Sequence, residues 1–142
     1  MDRLLMICSK IIKLRPKTTN LELQKYLYFI QAAALVVLEK EAFDDEIEAW
    51  QYGPVVPKAY KEFKYNKKDL EKIQPILDKD IENLVKEVVS EFGEDSAFEL
   101  VERTHSYSSW IEAWRENKQI ISKEDIIVCH NEIAEQNDGV IF

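Results

Sequence analysis

The residue types best suited to chemistry are few in this chain, and their spacing excludes most kinds of it. Cys129 directly adjoins His130, but neighbouring side chains on a helix diverge by about 100°, so they cannot serve each other as nucleophile and base. An inert thiol is expected there. Cys8 lies far from Cys129, with no CxxC and only two histidines in the chain, so neither a disulfide scaffold nor a structural zinc site is expected. Phosphate-binding glycine loops, GxSxG, HExxH and EF-hand loops are absent from the sequence. Two polar features remain. Gln24, Tyr28 and Gln31 fall at i, i+4 and i+7, a polar stripe on an otherwise apolar segment that is either satisfied internally or lines a groove. His105 follows Thr104 and precedes Tyr107 and Trp110; it reads as a structural loop histidine or, with Gln24, Tyr28 and Glu48, as part of a polar cleft acting on a nucleotide or similar ligand. No catalytic residue, metal ligand or cofactor is assigned.

The elements that must position these residues are mostly helical. Three glycines and four prolines in 142 residues leave 17–52 and 94–138 free of breakers, which favours helices over a turn-rich sandwich or barrel. Ile81, Leu84, Val85, Val88, Val89 and Phe92 follow helical periodicity up to Gly93, expected at C′. Ser96 with Glu99, Ser109 with Glu112, and Ser122 with Asp125 each have the spacing of an N-terminal cap. A first helix is expected over Asp2 to Leu14, before Pro16. A central one, capped by Thr19 or Asn20 and apolar nearly all round, is expected to reach about Lys40. Alternation near Ile47 to Trp50 suggests a short strand, paired in a hairpin with Glu41 to Asp44. Pro54 or Pro57 is placed in the first turn of a helix bearing Val56, Ala59, Tyr60 and Phe63, followed by a polar connection from Lys64 to Lys79.

With 19 basic and 27 acidic side chains the net charge is −8, which disfavours nucleic-acid and anionic-membrane surfaces and points to basic or apolar partners. Asp78 to Glu102 holds nine acids and two lysines, read as a solvated face or a docking face for a basic protein. The longest uncharged run, Tyr26 to Leu38, has thirteen residues against the ~20 of a membrane-spanning helix, so a buried core helix is expected. Leu4 to Cys8 is too short for a secretory segment. A cytoplasmic protein without membrane partners is the expectation.

Two stretches resemble a known family. Thr19-Asn20-Leu21-Glu22-Leu23-Gln24-Lys25-Tyr26-Leu27-Tyr28-Phe29-Ile30-Gln31 is similar to a threonine-capped helix signature reading roughly LQKLLYFAQ. Ile47-Glu48-Ala49-Trp50-Gln51-Tyr52-Gly53-Pro54-Val55-Val56-Pro57 is similar to a second signature, IEAWxYGPVVP, followed by an aromatic-bearing helix at Tyr60 and Phe63. Thr104-His105 with Trp110 forms a third element. Together they resemble the Panacea domain, also called SocA-like or phage-associated GepA-like, over about residues 3 to 136. The chain departs from the pattern at Ser109, where proline usually precedes the tryptophan, and at Tyr26, more often leucine. The resemblance implies an α-helical domain with a small β element. It also implies an antitoxin that neutralises a toxin protein encoded beside it, in some members as an adaptor presenting the toxin to a protease. Many relatives carry a separate helix-turn-helix domain, for which this chain has no room, so operator binding by the chain alone is not expected.

The reading is therefore a mostly α single domain over 1–142 with a small β-hairpin and a short C-terminal tail, working as a non-enzymatic protein-binding module. Its contact residues are expected among Trp50, Tyr52, Gly53, Pro54, Tyr60, His105 and Trp110, because such aromatics dominate binding hot spots. The competing readings are the polar-cleft enzyme and a DNA-associated regulator.

Overall fold

Thr19 starts the central helix of the computed structural model, which describes residues 2–142. Its hydroxyl accepts from the Glu22 N–H at 3.2 Å while the Glu22 carboxylate accepts from the Thr19 N–H at 2.8 Å, a reciprocal cap that satisfies two orphan donors. Helix α2 then runs Asn20–Ala33 and continues as a π-helical turn, Ala34–Leu38, ending where Glu39 takes φ 56°. Leu23 through Ala34 are buried without interruption, so this helix is the axis of the core. By length and composition Asn20–Leu38 could cross a membrane, but 72% of its apolar 18-residue window is buried inside the domain.

Around this axis pack α1 (Arg3–Leu14), α3 (Pro57–Lys72), α4 (Lys79–Phe92), α5 (Ala97–His105), α6 (Ser108–Arg115) and α7 (Lys123–Gln136). α1 is capped by Asp2 and stops before Pro16. α4 buries the expected stripe of Ile81, Leu84, Val85, Val88 and Phe92. Ser96 and Ser122 cap α5 and α7 as their spacing predicts.

Four expectations are corrected. Gly93 closes α4 in the right-handed region, φ −65°, rather than as a left-handed cap. Ser109 is not a cap: α6 begins two residues earlier than that cap would set, at Ser108 behind Tyr107, and Ser109 turns inward. The expected connection from Lys64 is helical to Lys72 with a kink at Asn66, because α3 is a lysine-rich segment with only Leu70 buried in its second half. Lysine favours helix, yet a nearly all-polar stretch shows no periodicity to read.

The fourth correction concerns the hairpin. Strand β1 (Ile47–Trp50) pairs not with the segment before it but with β2 (Gly53–Val55), Trp50 opposite Gly53 and Glu48 opposite Val55, and on its other side with β3 (Ile120–Ile121). Gly53 has φ 111°, a conformation that L side chains resist, which lets the chain reverse over Gln51 and Tyr52. Pro54 therefore sits in an edge strand, where its missing N–H breaks no ladder, and Pro57 alone occupies the first turn of α3.

Candidate partner-binding site

The hairpin is held by its backbone. Pro54 and Val56 turn their free carbonyl and N–H away from β1, toward α2, where no strand exists to receive them. Two adjacent α2 side chains take that place: the Lys25 ammonium nitrogen donates to Pro54 O at 3.0 Å, and Gln24 Oε1 accepts from the Val56 N–H at 2.9 Å. At the turn, His105 Nε2 lies 3.0 Å from Gln51 O and Trp110 Nε1 donates to Trp50 O at 2.9 Å. A carbonyl can only accept, so His105 carries its proton on Nε2. Four side chains from α2, α5 and α6 thus fix the backbone of residues 50–56.

Lys25 is fully buried, and burial pushes its amine down to about 7. The same packing leaves no room for a Cβ at Gly53. A Cβ there would fall 2.7 Å from Thr104 Oγ1 and 2.8 Å from Lys25 Cε, so the hairpin lies directly on the lysine stem.

What the clamp leaves outside is aromatic. Tyr52, at the tip, is 59% exposed. Trp50 is half-buried, its ring edge-on to Tyr60 at 5.1 Å and its indole N–H donating to Glu48 at 2.9 Å. Behind the turn the half-buried His105 stacks on Trp110 at 4.2 Å, and Trp110 stacks on the exposed Trp114 at 5.6 Å. Gly53, Pro54 and Trp110 are themselves buried; among the expected contact residues they shape the surface, while Trp50, Tyr52, Tyr60 and the edge of His105 form it.

The polar stripe of α2 divides among separate tasks. Gln24 also donates to Asn20 at 2.9 Å. Gln31 donates to Phe43 O at 2.7 Å and accepts from the Ala42 N–H at 2.8 Å, pinning the segment that leads into β1. Tyr28 enters a closed cluster: its hydroxyl lies 2.6 Å from Ser109 Oγ and 2.8 Å from His130 Nε2, while His130 Nδ1 reaches Ile141 O at 2.6 Å. Because Ile141 O must accept, Nδ1 holds the imidazole proton, Nε2 accepts from Tyr28, and Ser109 donates to the tyrosine oxygen. Burial lowers the His130 pKa and raises that of Tyr28 well above its usual value, which keeps both neutral. Ile141 and Phe142 pack on the core, with Phe142 edge-on to Phe29 at 5.4 Å.

These placements do not gather His105, Gln24, Tyr28 and Glu48 into the polar cleft of the competing reading. Each bonds to a different partner and none to another of the set. Sequence reading missed Lys25 as a clamp, Ser109 and His130 as members of the buried cluster, and Trp114 as an exposed ring. A single charge inside the buried stretch from Leu23 to Ala34 was the available signal for Lys25. Nothing local marks His130, whose partner Tyr28 lies 102 residues away.

A model of the family described as "Antitoxin SocA-like, Panacea domain" matches residues 23–111, a span containing all four clamping side chains and the whole hairpin. Antitoxin SocA of Caulobacter vibrioides (strain NA1000 / CB15N) is 31% identical over 116 residues, covering 71% of this chain. The chain spans 62% of the length of that relative. No solved structure matches. On the family match, supported by the clamped hairpin that its signatures build, the chain belongs to the SocA-like Panacea domain family.

Proposed function

We propose that this protein is an antitoxin that binds a toxin protein encoded by a neighbouring gene and neutralises it by direct contact, through the surface of Trp50, Tyr52 and Tyr60. The observation that carries the reading is the clamp: four buried or half-buried side chains hold the backbone of residues 50–56 while Tyr52 stays 59% exposed. A hairpin fixed in advance presents its aromatics at low ordering cost, which is how a rigid surface gains affinity. A non-enzymatic role fits the same arrangement, since His105 spends its Nε2 on Gln51 and the Tyr28–Ser109–His130 cluster is sealed from solvent; a cytoplasmic location belongs to the same proposal. Delivery of the bound toxin to a protease would use the same contact and a second, separate surface.

Co-expression with the adjacent gene tests the proposal. Growth is expected to be rescued by this chain and lost again with Tyr52→Ala, whose binding defect should be ~2 kcal/mol or more with an unchanged melting temperature. Rescue that is indifferent to Tyr52→Ala and Trp50→Ala moves the contact elsewhere, and a neighbour that is harmless alone removes the toxin from the argument.

A further inference from the structure

We infer that the face running from the hairpin onto α3 receives an acidic segment of a protein partner, an inference that rests on the protein-binding reading and names the chemistry of what binds. The chain's charge is unevenly placed. α3 carries six lysines and three acids, net +3 in a chain of −8, which leaves −11 for everything else. That positive helix is joined to the hairpin through a continuous line of contacts. The Trp50 ring meets Tyr60 at 5.1 Å, Lys64 Nζ stands 5.9 Å from the Tyr60 centroid, and the same ammonium lies 5.4 Å from the ring of Tyr65, which is 72% exposed. Lys61, Lys64 and Lys68 are exposed and have no acidic partner among the described residues, unlike Lys58, paired with Asp2, and Lys67, near Glu71. Glu48, the carboxylate in this line, is engaged by the Trp50 indole.

Of the expectation drawn from net charge, basic or apolar partners, the apolar part is kept at this face and the basic part reversed. Exposed charges are screened beyond ~8 Å at physiological salt, so a short docking segment responds to the nearby lysines and not to the distant acids. A nucleic acid fits less well: a long polyanion extends past one helix and meets the remaining −11, and its affinity would depend on phosphate contacts that this small patch supplies sparingly. The half-buried rings of Trp50 and Tyr60 and the exposed Tyr52 ask for apolar side chains beside the acids.

The full chain, isotope-labelled, is titrated with a glutamate-rich peptide bearing interspersed leucines, with its lysine-rich counterpart, and with a DNA duplex. The acidic peptide is expected to shift the amides of Trp50, Tyr52, Lys61 and Lys64 and to lose about tenfold in affinity from low to high salt. Lys61→Glu, Lys64→Glu and Lys68→Glu combined should weaken it at least tenfold at an unchanged melting temperature. Preference for the lysine-rich peptide, tighter binding of DNA, shifts confined to other faces, or unaltered affinity in the charge-reversed chain would each overturn the inference. In co-expression the same triple variant should lose rescue. If the unmodified chain fails to rescue, the antitoxin reading falls on that result, while the titration still decides the face.

Discussion

Two successive turns of α2 handle buried polar groups in opposite ways. Toward its start, Gln24 and Lys25 reach across to the backbone of a strand edge and hold a surface feature from beneath. One turn later, Tyr28 is locked into a cluster with Ser109 and His130 that faces no surface at all. Both sites obey the rule that buried polar atoms find partners. They differ in what their loss would disturb: the second joins α2, α6, α7 and the C-terminal residues, the first only docks a hairpin. A polar stripe at helical spacing is therefore not one functional unit, and the position of each partner decides its role.

The largest expected effect breaks the second site. Tyr28→Ala removes a ring packed on Tyr107 and His130 and leaves Ser109 Oγ and His130 Nε2 without their partner. A loss of ~4 kcal/mol is expected, a large part of a total near 5 to 15, seen as a lowered denaturant midpoint. A loss under ~1 kcal/mol would mean the cluster is not a structural hub.

Gly53→Ala should cost less and act locally. It combines φ 111° with a Cβ placed against Thr104 and Lys25, and strain of this kind is worth ~1 to 3 kcal/mol. Hydrogen exchange is expected to rise in residues 50–56 while α2 and α7 stay protected. Uniform loss of protection would show that hairpin and core form one cooperative unit.

The two sites should also separate by pH. Lys25 falls from 10.5 to about 7 on folding, so between those values the unfolded chain holds the extra proton and stability rises with pH; the penalty is complete below about 7. The stability of Lys25→Met relative to the wild type is therefore expected to be highest at or below neutral pH and to fall toward pH 10, where the lost bond to Pro54 O is the main difference left. His130, lowered by burial from 6.5, works in another window: its penalty appears as pH falls below 6.5, and it cancels in this comparison. A margin independent of pH would show that Lys25 remains charged when folded.

How much of this was legible follows from the range of the interactions. The α4 stripe and the serine caps at Ser96 and Ser122 are local, and spacing alone identified them, as it narrowed the α2 cap to Thr19 or Asn20, of which Thr19 is the one. The strand at Ile47 was visible by alternation, but its partner was not, because Gly53-Pro54 reads equally as a helix start until φ at Gly53 is known. The aromatics of the candidate site were legible as residue types, whereas their division into buried Trp110 and exposed Tyr52 needed the packing of α5 and α6 against the turn. Net charge is blind to placement in the same way: a sum of −8 conceals the positive helix beside the hairpin.

The smallest effect sharpens the contrast most directly, because it changes one atom on the same helix two residues from Tyr28. Tyr26 is fully buried and its hydroxyl has no hydrogen-bond partner among the described residues, whereas the hydroxyl of Tyr28 has two. An unpaired buried hydroxyl costs free energy that its removal returns, while removing a paired one strands its neighbours at ~1 to 3 kcal/mol. Tyr26→Phe should therefore be neutral or stabilising by up to ~1 kcal/mol, and Tyr28→Phe destabilising, each read as a shift in denaturant midpoint at constant slope. The resemblance of this helix to one that more often carries leucine at position 26 agrees in direction, since an apolar side chain there leaves nothing unsatisfied. If Tyr26→Phe were the more damaging of the two, that hydroxyl would have a partner such as a buried water, and the division of α2 into a docking turn and a locking turn would have to be redrawn around it.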